Sequence, residues 1–242
     1  MLKPVMKPIG KILQLARYPV KSMRGESLPT TPLTLQGLPE DRRYAFVQAA
    51  SRSDFPWLTA RQMPELLRYV PAVEVEDPGK VAVTVTTPTG ERLPIDSDEL
   101  RREIEARSGR ALYLLHDGRG SYDAAPISVI SRQTVARIAE ESETEENHWR
   151  FRPNLLVDLQ EGGAFEELNW VGRVLRVGDV SRVAIIKADR RCVITTLDPE
   201  TTKSSPGILQ CIVKNHAQCA GVYGTVLTAG EVRTGDGIWL EG

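Results

Sequence analysis

Apolar positions recur mostly with a period near two along this chain, and turn residues break them into short runs. Val81, Val83 and Val85 alternate with Ala82, Thr84 and Thr86, and Pro88-Thr89-Gly90 turns the chain back into 92–95. That is the pattern of a β-hairpin with one face buried. Residues 9–20 alternate more loosely through Ile12, Leu13 and Leu15 before Tyr18-Pro19, and 44–47 form a short apolar run after Asp41-Arg42-Arg43. The first half is predicted to be mostly strands.

Helical periodicity is confined to a few places. Over 98–107, Leu100 and Ile104 lie one turn apart, Ser97 can cap the start and Ser108-Gly109 ends the run. Over 133–141, Val135, Ile138 and Ala139 share a face behind the cap candidate Ser131. Pro64 opens a short helical turn over 64–69. After the acidic segment 140–146 the chain returns to strands. Two phrases there are alike, Gly172-Arg173-Val174-Leu175-Arg176-Val177-Gly178-Asp179 and Gly230-Glu231-Val232-Arg233-Thr234-Gly235-Asp236. Each reads as a strand stub ending in a Gly-Asp turn, as in barrels with tight connections. A soft boundary falls at 117–121, where His116-Asp117-Gly118-Arg119-Gly120 breaks the pattern, and it divides the chain into 1–118 and 119–242. The predicted fold is β-rich α+β, with a two-part β-barrel architecture and a few short helices.

Composition narrows the function classes. The 242 residues suit one or two domains, with 41% hydrophobic and 26% charged positions as in ordinary globular proteins. The 31 Lys+Arg and 32 Asp+Glu leave a formal charge of −1, which argues against a nucleic-acid or polybasic membrane surface. No apolar run approaches the roughly 18 residues of a membrane span, and the lysines within 1–8 precede no secretory core. Three cysteines are an odd count for a disulfide framework, so a reducing, cytoplasmic setting is expected.

The candidate chemistry is scattered. Cys192 stands in Asp189-Arg190-Arg191-Cys192-Val193-Ile194, where two arginines favour the thiolate that attacks electrophiles or binds soft metals. The same segment also fits a buried cysteine opening a strand that continues through Val193-Ile194. Cys211, His216 and Cys219 form C-x4-H-x2-C without a paired zinc knuckle, so packing roles compete with metal ligation. His116 and His148 stand alone. Lys21-Ser22 and Arg42-Arg43 place an ammonium, a hydroxyl and guanidinium groups at strand ends, as a phosphate site needs and as a solvated turn also would. Arg152-Pro153-Asn154 precedes the apolar run 155–157, a place for a ligand contact or for a capping turn. No P-loop, G-x-S-x-G or ordered Ser-His-Asp set is present.

Taken in order, several of these segments resemble one family. Tyr18-Pro19-Val20-Lys21-Ser22-Met23-Arg24-Gly25, Asp41-Arg42 and Leu58-Thr59-Ala60-Arg61-Gln62-Met63-Pro64 resemble the N-terminal β-barrel domain that accompanies MOSC domains. Phe151-Arg152-Pro153-Asn154, Arg191-Cys192 with Thr195-Thr196-Leu197-Asp198-Pro199, and Gly235-Asp236 resemble the MOSC domain itself. The resemblance runs from about residue 10 to the end and is strongest with the amidoxime-reducing branch, mitochondrial and bacterial. It implies a MOSC N-terminal barrel over 1–118 and a MOSC domain over 119–242.

The resemblance also implies a molybdenum cofactor, a pterin dithiolene with a phosphate tail. Cys192 matches the ligand to molybdenum. Lys21, Ser22 and Arg42 match the phosphate cradle, and Arg152 and Asn154 match positions around the pterin. Asp123 matches an acidic residue near the metal, implying a catalytic role, and Tyr223 matches an aromatic position near the cofactor. Arg190 stands where relatives often carry a small residue, and there it either crowds the pterin or adds a cation to its edge. Ala124-Ala125 lack the hydroxyl often found beside the aspartate. The implied activity is reduction of small N-hydroxylated compounds, amidoximes or hydroxylamines, by oxygen transfer to molybdenum. No four-cysteine ferredoxin module follows the MOSC region, so electrons are expected from a separate ferredoxin, flavoprotein or cytochrome. The alternatives are a carrier that holds the cofactor or a Cys192 persulfide without turnover, and a cofactor-free interaction module.

Overall fold

The structure, a computed structural model, describes residues 8–77 and 80–241. Residues 1–7, most of the N-terminal stretch read above, lie outside it. In chain order the elements are β1 (Gly10–Arg17), β2 (Glu26–Leu28), β3 (Thr30–Leu33), β4 (Tyr44–Gln48), β5 (Val70–Asp77), β6 (Lys80–Thr86) and β7 (Arg92–Pro94), then α1 (Asp98–Ser108) and β8 (Leu112–His116). The second half holds β9 (Ile127–Ser131), α2 (Arg132–Glu141), β10 (Leu155–Leu159), β11 (Val174–Val177), β12 (Ser181–Arg190), α3 (Pro206–Asn215), β13 (Cys219–Thr228), β14 (Gly230–Arg233) and β15 (Gly237–Glu241).

Seven strands close on themselves in the order β1-β10-β9-β13-β12-β11-β15, and the ring returns to β1 through the pair Gly10 and Ile238. Closure leaves no unpaired backbone row among these seven strands. Alternate side chains point inward, so Ile12, Leu15, Val129, Val157, Leu175, Val183, Val222 and Ile238 fill the interior almost without exposure. The pair β9 and β10 is parallel and therefore needs a crossover, which α2 begins. Ser131 caps α2 by accepting from the Thr134 amide, and its hydroxyl and amide bind the fully buried Glu167 carboxylate at 2.9 and 3.1 Å.

The other part is built from the pair β4–β8 and the meander β5-β6-β7. Their apolar faces and α1 share a separate core that includes Phe46, Tyr69, Val83, Val85, Leu100 and Ile104. Ser97 caps α1 and Gly109 ends it with a left-handed φ of 66°. The chain is thus β-rich α+β with a two-part barrel architecture, one part closed by hydrogen bonds. The 118/119 division falls in the turn between β8 and β9. Across it, β1 completes the barrel of the later strands and β3 pairs with β14. The two Gly-Asp phrases form β11 and β14, each followed by a turn with a positive-φ glycine, Gly178 and Gly235.

Two local readings are corrected. Residues after Cys192 do not extend a strand. They form a 3-10 turn, Val193–Thr196, closed by the Thr195 amide and hydroxyl donating to the Cys192 carbonyl at 3.1 and 2.8 Å. The helix α3 has no counterpart in the sequence reading. Among the described residues no helix is long and apolar enough to cross a membrane.

Candidate cofactor site

Several segments meet at one site: the turn after β1, the loops before and after β4, the segments entering β9 and β10, the end of β12 and the start of β13. Between them lies a cavity of about 580 Å³, a size that suits a small-molecule site. Lys21, Ser22, Arg42, Asp123, Arg152, Arg190, Cys192 and Tyr223 all line it. Asn154 does not. It is buried beneath, where Oδ1 accepts from the Ser128 amide at 3.1 Å and from Arg42 Nη1 at 3.4 Å, and Nδ2 donates to the Ala16 carbonyl. Its place is to hold Arg42 and β9 rather than to face the cavity.

Charge is concentrated here. Eight Lys and Arg side chains and two Asp line the cavity, in a chain whose overall formal charge is −1. Sequence reading passed over two of the cations, Arg150 and Lys187, and quoted Arg61 and Arg191 only within longer motifs. Lys21 is buried, donates to the Ser121 carbonyl at 2.6 Å and to Asp123 at 2.8 Å, and lies 4.6 Å from the Trp57 ring centre. Burial lowers its pKa, and Asp123 opposes that shift. Arg42 is clamped by the fully buried Asp41 at 2.5 Å, and Arg152 donates to the Met23 carbonyl at 2.6 Å. Both guanidinium groups lie against the Tyr18 ring, at 4.7 and 4.3 Å. Burial and then the neighbouring Arg42 push the Arg152 pKa down to about 10. An anion placed between such crowded cations offsets their repulsion and favours their charged forms.

Asp123 lies within the concavity, yet 61% of its side chain faces open space. Desolvation opposes its charge, but the Lys21 ammonium and its hydrogen bond outweigh that and hold the carboxyl below its usual range. Cys192 is a free, half-buried thiol at the cavity wall. Its two arginines diverge. Arg191 turns inward and donates to the carbonyls of Ala220 and Phe151 at 2.7 and 2.8 Å, while Arg190 turns outward to Gln218 at 2.7 Å. Arg190 therefore sits at the cavity edge.

The C-x4-H-x2-C set does not converge. Cys211 lies on the buried face of α3 and donates to the Ile208 carbonyl, while His216 binds Glu141 at 2.7 Å and stacks on Phe165. Cys219 instead lines the cavity. Among the described residues no group of three or more His, Cys, Asp and Glu could hold a metal ion.

The site fits a polar, anionic heterocycle bearing a soft ligand atom. Arg150 Nε, Arg191 Nη2 and the Ser128 hydroxyl belong to lining residues, are buried and have no protein partner. Such orphaned donors are costly unless a bound group accepts from them. A thiolate suits a soft metal, and the cations suit a phosphate.

Comparisons with known proteins agree in order and extent. The MOSC N-terminal beta barrel domain matches residues 9–126, and the MOSC domain matches residues 116–239. Mitochondrial amidoxime reducing component 2 of Rattus norvegicus is 25% identical over 97% of this chain and 84% of its own length. Mitochondrial amidoxime-reducing component 1 of Mus musculus is 24% identical over 98% and 84%. Among solved structures, the YUAD protein from Bacillus subtilis shares the fold, with a TM-score of 0.52 at 12% identity over 96% of this chain and 94% of that one. With the MOSC domain covering over half of the chain and the N-terminal barrel domain most of the rest, the protein belongs to the MOSC family.

Proposed function

We propose that this protein binds a molybdenum cofactor in the cavity and reduces small N-hydroxylated compounds with electrons from a separate electron-transfer protein. The observation that carries the reading is a half-buried free thiol, Cys192, opening onto a cavity lined by eight cationic side chains. The names of the relatives support the choice of amidoximes as substrates. Bound there, the cofactor supplies a metal that cycles between oxidation states and accepts the oxygen of an N–OH group.

The chain's own residues do the rest. Cys192 offers its sulfur to the metal. Lys21, Ser22 and Arg42 hold the phosphate, with Asn154 fixing Arg42 from below. Arg152 and Arg190 flank the ring system, Tyr223 packs beside it, and Asp123 faces the reacting end while Lys21 keeps it ionised. Three free cysteines accord with a reducing, cytoplasmic setting.

The test is elemental analysis of protein from a host that makes the cofactor. Near-stoichiometric molybdenum is expected in the wild type and a small fraction of it in Cys192→Ala, with benzamidoxime reduced only by the former. Absence of molybdenum from the wild type refutes the reading. Molybdenum without reduction identifies a carrier.

A further inference from the structure

Reduction of an N–OH group consumes protons: R–N–OH + 2 e⁻ + 2 H⁺ → R–N–H + H₂O. Nothing in the cradle just described supplies them. Guanidinium groups do not release protons in proteins, and the Lys21 side chain is bound to Asp123, which it keeps ionised. The remaining carboxyl of the cavity lining is Asp189.

Its position comes from a bulge. The register between β12 and β13 slips from Ala188–Val222 to Arg190–Cys219, so Asp189 alone faces two residues, Ala220 and Gly221. Bulges re-aim side chains, and here the two inward residues are Asp189 and Arg191, with 3% and 5% exposure. Arg191 Nη1 lies 2.9 Å from Asp189 Oδ2, but the angle makes no hydrogen bond, so Oδ2 is a buried atom without one. From β13, Tyr223 pairs with Lys187, two residues before Asp189 and so on the same strand face, and Tyr223 itself lines the cavity. A carboxyl that is buried, ion-paired without a hydrogen bond on Oδ2 and on one strand face with a hydroxyl of the cavity wall is placed to hold a proton and release it through that hydroxyl.

We infer that Asp189 is a proton-holding residue of the site and delivers one proton per turnover through the Tyr223 hydroxyl. The step balances simply. Tyr223 gives its hydroxyl proton to the reacting oxygen or nitrogen, Asp189 restores it, and solvent reprotonates Asp189 and supplies the second proton of the turnover. Burial pushes the Asp189 pKa up to about 6, with the Asp123 charge adding to the shift while Arg191, Tyr223 and Arg42 oppose it. The donor form is thus lost as pH rises through about 6. This inference rests on the cofactor reading above.

Two measurements separate them. In the cofactor-free full chain, carboxyl-carbon NMR is expected to show one resonance titrating near pH 6 that disappears in Asp189→Asn. In the loaded protein, with benzamidoxime as substrate and reduced methyl viologen as electron source, wild-type kcat is expected to fall above about pH 6. Asp189→Asn is expected to lose at least about tenfold in kcat and to show no such limb, with KM and molybdenum content unchanged. Tyr223→Phe is expected to lose the limb while keeping the titrating carboxyl, and it serves if Asp189→Asn folds poorly. A variant with wild-type kcat and pH limb, or a chain with no carboxyl titrating between about pH 5 and 7, overturns the inference. A wild type without molybdenum overturns the cofactor reading instead, and the NMR arm still reports on Asp189.

Discussion

Ser22, Arg42 and Arg152 hold left-handed backbone, with φ of 65°, 53° and 54°. This conformation costs a non-glycine residue about 1 kcal/mol, and no glycine was placed at these three cavity positions. The strained backbone sets a hydroxyl and two guanidinium groups along the wall of one cavity. Ser22→Gly is expected to raise stability by about 1 kcal/mol in urea unfolding, read as a higher midpoint at unchanged slope. The same variant should retain less cofactor on gel filtration, since it lacks the hydroxyl. Unchanged stability and unchanged retention together would remove Ser22 from the cradle. At this scale the sequence was legible in part. The Lys21-Ser22, Arg42 and Arg191-Cys192 motifs pointed to the right cavity, but Asp189 and Cys219 could not be assigned to it. A residue's alternation in a strand does not reveal a bulge, and Cys219 was grouped with His216 by spacing alone.

Among elements, the bulged pair β12–β13 matters most to the site. Gly221 makes it feasible: its φ is 77°, and a Cβ there would sit 2.6 Å from the Val129 carbonyl and 3.0 Å from Arg191 Nη2. Gly221→Ala is expected to cost about 2 kcal/mol or more, and to displace Arg191 and with it the wall that carries Cys192. Thermal melting checks the first effect. Faster alkylation of Cys192 by iodoacetamide checks the second, and a variant that melts and alkylates like the wild type would contradict both. The helices show what local signals can carry. In α1 and α2 the serine cap, the apolar stripe and, for α1, the glycine stop are all written in sequence, and both form within a residue of expectation. In α3 the residue at the N-cap, Ser205, makes no side-chain hydrogen bond, and Gly207 lies in the first turn. That helix is held instead by burying Ile208, Cys211 and Ile212 against α2 and the residues around Phe151.

For the whole molecule, the decisive contact is long-range. The strand β1, near the N-terminus, lies between β10 and β15, and its Ile12 and Leu15 are sealed in the later strands' core. A fragment of residues 119–242 is therefore expected not to form the closed barrel, because it exposes two strand edges and an open core. Circular dichroism and gel filtration should show an unfolded or aggregated fragment, with recovery on addition of a peptide covering residues 9–34. A monomeric fragment with a cooperative melt would show that 119–242 folds by itself.

What the sequence determined alone is what neighbouring residues decide among themselves: strand periodicity, capped helices, Gly-Asp turns, and a thiol and cations in recognisable short motifs. These follow from backbone sterics and local hydrogen bonds over a few residues. The site itself belongs to the tertiary structure. Lys21 meets Asp123 across 102 positions and Arg42 meets Asn154 across 112, and each pair exists only because closing the barrel brings their loops to one end. Closure also traps charge in a cavity where desolvation pushes the pKa of Lys21 and Arg152 down and that of Asp189 up. Burial of that kind is a property of the packed whole.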